Sequence, residues 1–401
     1  MIDAAARHLN RHGVRDNTLR DLAAELQLTR AALYYYVEDR EDLVFQAYRR
    51  SCELLAKALG DAITEGGAAL DIVGGFVAKA LAPGQPELAS LTELGLLRPD
   101  DHATVLALYE GVVARLAGVL EAGVRNGELR PLDPDIVART VISMIHGLPQ
   151  VLSYSFLEAP PTAGDYAALL QDVLIHGWMT DRGRLIAPVQ VELSPYRTRQ
   201  VSAFDREALA AARREQVMVV ASQLFNRKGI DATSLDEIAR ELRATKRTLY
   251  QYVGDKQALV SACFKRGNDI GEAIHQQALA ANPGPDRVVE AIVASLQGAG
   301  RMWLYDDIAP LRLNLGLEAL SPHDQQAVID YALKLGENWQ GHFKRMQARG
   351  EARALDLDLF LPMLPTAAAW LSKGLVKAEG ARRVEIAAQV VDVHRLGLKP
   401  L

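Results

Sequence analysis

The chain repeats itself once, and this constrains its fold more than any other feature. A shift of 216 residues superposes Ala5–Val44 on Ala221–Val260 without a gap. The identities fall on positions that carry structure: Asn10/Asn226, Gly13/Gly229, Leu19/Leu235, Ala23/Ala239, Leu26/Leu242, Thr29/Thr245, Leu33/Leu249, Tyr34/Tyr250, Tyr36/Tyr252, Asp39/Asp255 and Leu43/Leu259. A weaker echo lies downstream, where VRNGELRPLD at 124 resembles ARGEARALD at 348. Two copies of about 200 residues are a duplicated domain pair, too long and too few for a solenoid.

Apolar residues recur at i, i+3 and i+4 almost throughout, and strand-like alternation is scarce, so the fold class reads as all-α. Helices are predicted at 2–12, 19–26, 30–36, 40–59, 69–81, 87–96, 102–126, 134–157 and 164–180, and the series repeats from about 206 to 397. Gly13, Pro83-Gly84, Pro99, Gly127 and Pro160-Pro161 stand at the breaks. The stretch Asp181–Ser202 holds Gly183, Pro188 and Pro195 with no helical stripe, and reads as a linker.

Composition limits the classes. An apolar content of 49% is ample for packed cores and excludes a disordered chain. No apolar run approaches the roughly 18 residues of a membrane span without a charge or breaker. The start, MIDAAARHLN, lacks the layout of a secretory signal, so the expected compartment is the cytoplasm. Two distant cysteines, Cys52 and Cys263, exclude a Cys-based zinc site. A net charge of −5 confines any nucleic-acid contact to a local patch.

The repeated unit has a definite physical reading. Leu19, Leu22, Ala23 and Leu26 form the stripe of a short helix, and Gln27-Leu28 turns the chain. Thr29 is placed to cap the next helix, which buries Leu33 and Val37. Two short helices across a tight turn, after a longer supporting helix, make a helix-turn-helix, whose second helix enters the major groove. The run Tyr34-Tyr35-Tyr36 cannot sit on one helix face. Arg30, Ala31 and Tyr35 point away from the stripe, and Tyr34 and Tyr36 flank it. The flanking tyrosines are either half-buried packing residues or phenols reaching a phosphate. The frame L-Y-x-Y-V, found twice, favours the second.

Both units resemble the DNA-binding domain of the tetracycline-repressor family. The second copy carries its pattern as Leu224-Phe225, Gly229, Thr233, Ile238-Ala239, Thr245, Leu249-Tyr250, Tyr252 and Lys256. The first carries it as Leu9, Gly13, Thr18, Leu22-Ala23, Thr29, Leu33-Tyr34, Tyr36 and Arg40. Gln27 and Arg243 replace the family's turn glycine, a change that costs about 1 kcal/mol if the left-handed conformation is required. Val37 and Val253 replace its phenylalanine.

The resemblance implies an all-α, pseudo-twofold arrangement of two tandem helix-turn-helix units, each with a helical-bundle ligand domain. The divisions are 1–48, 49–180, a linker at 181–205, 206–264 and 265–401. The implied function is a ligand-responsive transcriptional regulator, a repressor by family habit, with double-stranded operator DNA and a small apolar or aromatic effector as partners and no cofactor. The DNA-contacting candidates are Thr18, Arg20, Thr29, Arg30, Tyr34, Tyr35, Tyr36 and Arg40, then Thr233, Thr245, Lys246, Arg247, Tyr250, Tyr252 and Lys256. Effector-lining candidates are Tyr109, Met144, His146, Tyr154 and Trp178 in the first half. In the second they are Trp303, Tyr305, Tyr331, Trp339, Phe343, Met363 and Trp370, a richer aromatic set that suggests the roomier pocket. Singly, each of these is more often a core residue than a ligand contact.

The two units differ in charge. Ile2–Phe45 holds six basic and eight acidic residues, a balance of −2, whereas Arg213–Val260 holds nine and six, a balance of +3. Phosphate neutralisation favours the second unit; the first either reads DNA weakly or has lost it. The linker, at about 3.3 Å per residue, spans roughly 70 Å, enough for one chain to form a pseudo-dimer on its own. Its two recognition helices differ, so the expected operator is asymmetric; a homodimer of such chains is the alternative. No phosphate-binding glycine loop, HExxH or nucleophile elbow points to an enzyme. The competing class is an interaction or small-molecule-binding module with vestigial DNA-binding units.

Overall fold

Local chemistry divides the chain into helices before any packing is considered. The computed structural model describes residues 1–14, 18–153, 162–186, 191–197, 202, 204–312 and 320–401, with the side chains of Arg30, Gln150, Leu152 and Ser153 outside this set. The first half contains α1 (Ile2–His12), α2 (Thr18–Glu25), α3 (Arg30–Leu33), α4 (Arg40–Glu65), α5 (Ala69–Ala80), α6 (Pro99–Arg125), α7 (Pro134–His146), α8 (Leu148–Ser153) and α9 (Ala163–His176). The second contains α10 (Arg206–Lys228), α11 (Leu235–Glu241), α12 (Lys246–Val253), α13 (Lys256–Ala281), α14 (Val288–Met302), α15 (Pro322–Ala348), α16 (Leu357–Ala368) and α17 (Ala381–Leu396). Among the described residues there is no strand, only an isolated bridge between Met179 and Ala352. Asp39 and Asp255 cap α4 and α13 by accepting from Asp42 N and Ala258 N at 2.9 and 2.8 Å, which satisfies otherwise orphaned amides. Cys52 and Cys263 are free, buried thiols.

One expected helix is absent. Only a single 3-10 turn, Leu94–Leu96, forms within 87–96. The Asn10 carboxamide donates to Leu88 O at 2.8 Å and accepts from Ser90 N at 2.8 Å, taking the backbone groups a helix would use. The second half repeats the clamp: Asn226 donates to Pro310 O and accepts from Arg312 N, at 2.8 and 3.0 Å.

α7 and α9 pack against α16 and α17, so the last helices of the two halves share one core. Trp178 stands edge-on to Phe343 at 5.2 Å, and Phe343 edge-on to Phe360 at 5.3 Å, joining the halves through rings. The hydrogen bonds across this junction come in reciprocal pairs. Trp178 N donates to His394 O at 2.9 Å, and Leu398 N to Leu174 O at 2.7 Å. Arg130 N donates to Leu398 O at 3.0 Å, and Arg353 N to Trp178 O at 2.8 Å. The two arginine side chains repeat the exchange: Arg130 Nε reaches Gly397 O at 2.6 Å and Arg353 Nη1 reaches Gly177 O at 2.7 Å. Each bond maps onto its mate when the halves are exchanged, the signature of a twofold-like contact.

The halves differ in how one helix is seated. α6 is apolar and long enough to cross a membrane, yet it is a core helix, burying Val105, Tyr109, Val112, Val113, Leu116 and Leu120. Its counterpart α15 buries only Phe343 and Met346, and its other inward positions are half-exposed.

Candidate nucleic-acid interface

Each helix-turn-helix has a small core of its own. In the first unit Ala4, Ala5, Leu19, Leu22, Ala23, Leu33, Val37 and Leu43 pack together; in the second, Leu235, Ile238, Ala239, Leu249 and Val253 join residues of α10 and α13. Burial of a Leu-sized side chain stabilises by about 1.5–3 kcal/mol, so these few residues fix the angle between the two short helices. The turns are closed alike: Leu28 N donates to Ala23 O and Ala244 N to Ala239 O, both at 2.9 Å. This six-residue closure places Gln27 and Arg243 at the left-handed position, with φ of 55° and 52°. The condition attached to the missing turn glycine is thus met in both units.

Thr29 Oγ1 accepts from Ala32 N at 3.1 Å and Thr245 Oγ1 from Thr248 N at 3.2 Å, so both threonines cap their helices. The helices they start are unequal. α12 runs eight residues and ends at Gly254 with φ 71°, whose N–H donates to Tyr250 O. The first unit has Glu38 there, and a side chain disfavours the left-handed exit. α3 instead stops after four residues, and Tyr35 N and Tyr36 N bond three residues back, to Ala32 O and Leu33 O. The helix expected over 30–36 is therefore shorter in its regular part.

The outward faces carry most of the expected contact residues. Tyr35 is 93% exposed, and Tyr34 and Tyr36 are exposed beside it. Thr29, Thr245, Lys246, Arg247 and Tyr250 are exposed, and α3 starts at Arg30. Lys246 Nζ lies 2.9 Å from Asp236. Arg213 Nη1 donates to the half-buried Tyr252 hydroxyl at 3.2 Å. Arg20 is exposed beside Asp21, Arg40 is half-buried beside Glu41, and Lys256 Nζ donates to Asp231 O at 3.2 Å. Thr18 and Thr233 are buried, and Thr233 Oγ1 donates to Gly229 O at 2.8 Å.

The two units meet at one carboxylate. Glu93 is buried, its Oε1 accepting from Val14 N at 3.4 Å and its Oε2 from Tyr48 Oη and Thr92 Oγ1 at 3.1 and 2.5 Å. A Cβ placed on Gly13 would lie 3.3 Å from Glu93, and one on Gly229 would lie 3.6 Å from it. The ends of α1 and α10 thus flank the same side chain. Arg312 closes the cluster from the second half, donating to Thr92 O at 2.8 Å; burial pushes its pKa down to about 10. Sequence reading missed both residues, although a lone Glu inside the apolar run ASLTELGLL is a visible signal.

Of the effector-lining candidates, Tyr109, Met144, His146, Trp178, Phe343, Met363 and Trp370 are buried. Trp303, Tyr305, Tyr331 and Trp339 are half-buried, and Tyr154 lies outside the described residues. The structure brings Trp178, Phe343 and Trp339 into one ring cluster, with Trp339 and Phe343 stacked at 6.5 Å. Tyr109 and Trp370 approach Arg139 at 6.0 and 5.9 Å. Tyr305 lies apart, between Arg197 and Arg383, and the Tyr331 hydroxyl donates to Asn268 O at 2.9 Å. Burial pushes the His146 imidazole down to about 3, and its Nε2 has no partner among the described residues.

The family models agree with this anatomy. The family model for bacterial regulatory proteins of the tetR family matches twice, at residues 1–47 and 217–263, and the tetracyclin repressor-like C-terminal domain matches residues 75–150. Among solved structures, the chain is similar to PfmR, a TetR family transcriptional regulator from Thermus thermophilus, at 22% identity and a TM-score of 0.39, covering 46% of this chain and 99% of that one. AibR in complex with isovaleryl coenzyme A and operator DNA matches at 18% identity and a TM-score of 0.36, covering 42% and 93%. A tetR family regulatory protein from Rhodococcus RHA1 matches at 19% and 0.34, covering 43% and 93%.

Proposed function

The chain belongs to the tetR family of bacterial regulatory proteins, with the family's N-terminal region present twice, and from that premise we propose that it is a cytoplasmic, effector-released repressor that occupies an operator as an intrachain pseudo-dimer. The observation that carries this reading is the pair of threonine-capped helices, α3 and α12, mounted on one polypeptide and joined through Glu93 and the reciprocal bonds of the last helices. In a two-chain dimer such helices meet successive major grooves about 34–36 Å apart. Here one chain supplies both, so the operator has two different half-sites: α12 reads one with Lys246, Arg247 and Tyr250, and the tyrosine cluster after α3 reads the other.

The second unit contributes most of the phosphate affinity, given its balance of +3 against −2. Residues 49–180 and 265–401 form the helical ligand and dimerisation domains, and a small apolar or aromatic effector bound within this part of the chain shifts the DNA-binding units. The family is one of regulators, and no enzymatic step is assigned.

Selection of bound fragments from a random DNA pool tests the proposal. The expected product is a non-palindromic site with two half-sites one helical turn apart, bound by one chain, with affinity falling steeply as salt rises. A flat salt response with no sequence preference overturns it and supports the second reading, a small-molecule or interaction module. That reading draws on the acidic balance of the first unit and its four-residue α3.

A further inference from the structure

Equivalent helices allow the two copies to be compared position by position. α4 and α13 have equal lengths and matching Asp caps, which sets Leu59 against His275. α5 and α14 both carry an acid at the third residue, Asp71 and Glu290, which sets Phe76 against Ser295. α6 and α15 have equal lengths and both start with proline, which sets Leu116 against Trp339 and Val119 against His342.

In the first half Leu59, Phe76 and Leu116 are apolar and wholly buried. In the second half the same three places form a polar, aromatic group. His275 Nδ1 lies 2.9 Å from Ser295 Oγ, and the imidazole stacks on Trp339 at 5.5 Å with an interplanar angle of 26°. His342 stands edge-on to His275 at 5.5 Å. Three helices have changed together at one spot, from plug to hydrogen-bonding cluster. Drift in a packed core favours apolar swaps of similar volume, because a buried polar group costs free energy when its partners are incomplete. The spot is also less covered: Leu335 and Trp339 of α15 are half-exposed, where Val112 and Leu116 of α6 are buried.

We propose that the second half alone holds the effector site, beneath α15, and that it takes a planar aromatic molecule bearing an uncharged hydroxyl or carbonyl, packed against Trp339 and hydrogen-bonded to His275. The inference rests on the reading that these helical domains bind an effector, and deepens it. The uncharged class follows from the surroundings. Arg345 Nη2 donates to His342 Nδ1 at 2.8 Å, leaving that ring neutral with its proton on Nε2. Burial holds the His275 imidazole below its ordinary range, so it is neutral near pH 7 and offers a hydrogen bond without a charge.

Calorimetric titration of the full chain without DNA tests this, with 2-naphthol, naphthalene and 2-naphthoate as probes. The expected result is one 2-naphthol per chain and weaker binding of the other two. His275→Leu and Trp339→Leu import the residue type the first half already packs there. Each is expected to weaken 2-naphthol by about tenfold or more, the loss of a hydrogen bond or an aromatic contact, without lowering the melting temperature. A stoichiometry of two, binding indifferent to both substitutions, or no saturable 2-naphthol binding overturns the inference. Because DNA is absent, failure here leaves operator binding to be judged separately, and a chain that binds 2-naphthol but no DNA loses only the regulator reading.

Discussion

Gly177 and Gly397 end α9 and α17 and lie against each other's chains at the centre of the pseudo-twofold. A Cβ on Gly397 would stand 2.5 Å from Ile175 O, and one on Gly177 would collide with Arg395 O. Both residues have φ near 65–69°, where a side chain is also strained. Gly177→Ala and Gly397→Ala should therefore each cost about 3 kcal/mol, combining left-handed strain with overpacking against backbone that cannot yield. Gly380→Ala is the control: its φ is 50° but nothing lies within 4 Å of the added carbon, so only the conformational cost of about 1 kcal/mol applies. Urea unfolding of the three variants checks the ranking.

The helix-turn-helix turns offer the opposite change. Gln27 and Arg243 are left-handed and lie at the surface of their units. Gln27→Gly and Arg243→Gly should each stabilise by about 0.5–1 kcal/mol, the relief of strain exceeding the added chain entropy of the unfolded state. Thermal melts read this directly. A lower midpoint for either variant would show that the side chain makes a contact worth more than the strain.

These turns mark the limit of what the sequence discloses. The missing glycine was visible, but whether αL was demanded depended on the closure from Leu28 N to Ala23 O. Helices with a cap and a stripe, such as α4 and α13, were legible because their signals are local. The irregular run at 87–93 was not, because its helical pattern is overridden by a carboxamide some eighty residues away, Asn10. The ring contact of Trp178 with Phe343 and the shared cluster at Glu93 and Arg312 lay beyond reach for the same reason: each joins residues whose neighbourhood exists only after the halves dock. The difference between Leu59 and His275 was present in the repeat itself, but it gained meaning only once Ser295 and Trp339 stood beside it.

Acid should loosen the fold before the carboxylates titrate. Burial holds His146 and His394 down to about 3, with Lys373 and Arg395 adding to it, whereas the unfolded chain takes up those protons near 6.5. Stability is therefore full above pH 6.5 and falls as pH drops from 6.5 toward 3. At pH 5 each histidine accounts for about 2 kcal/mol of loss. Urea midpoints at pH 7.5 and 5.0 check the direction, and His146→Leu should shrink the difference between them.

Exposure separates binding from stability at the proposed DNA-facing residues. Tyr35 and Arg247 are surface residues. Tyr35→Ala and Arg247→Ala should each change stability by no more than about 0.5 kcal/mol. Arg247→Ala should reduce the slope of log affinity against log salt by about one, as expected for one lost phosphate contact, or relax selectivity at one base if it reads an edge. On the proposed operator Tyr35 faces the other half-site, so the pair of variants should alter opposite ends of the selected sequence. Fluorescence anisotropy over a salt series distinguishes these outcomes.

Cutting the linker asks whether the halves need a covalent bond at all. Val191 and Leu193 pack against Ile270 and Ile274, so the linker's middle belongs to the second half. Phe204, just before α10, is almost fully exposed and makes a suitable site for an inserted protease sequence. Cleavage there leaves untouched the reciprocal bonds of Trp178, Leu398, Arg130 and Arg353, the shared core of α7, α9, α16 and α17, and the Arg312 bond to Thr92. An interface built like a domain core should hold without its tether at micromolar concentration. The nicked fragments are expected to elute together with the mass of one intact chain, and to separate only in denaturant. Separation in buffer would show that the tether supplies the affinity by effective concentration. Elution of the uncut protein at twice its mass would favour pairing between chains over pairing within one.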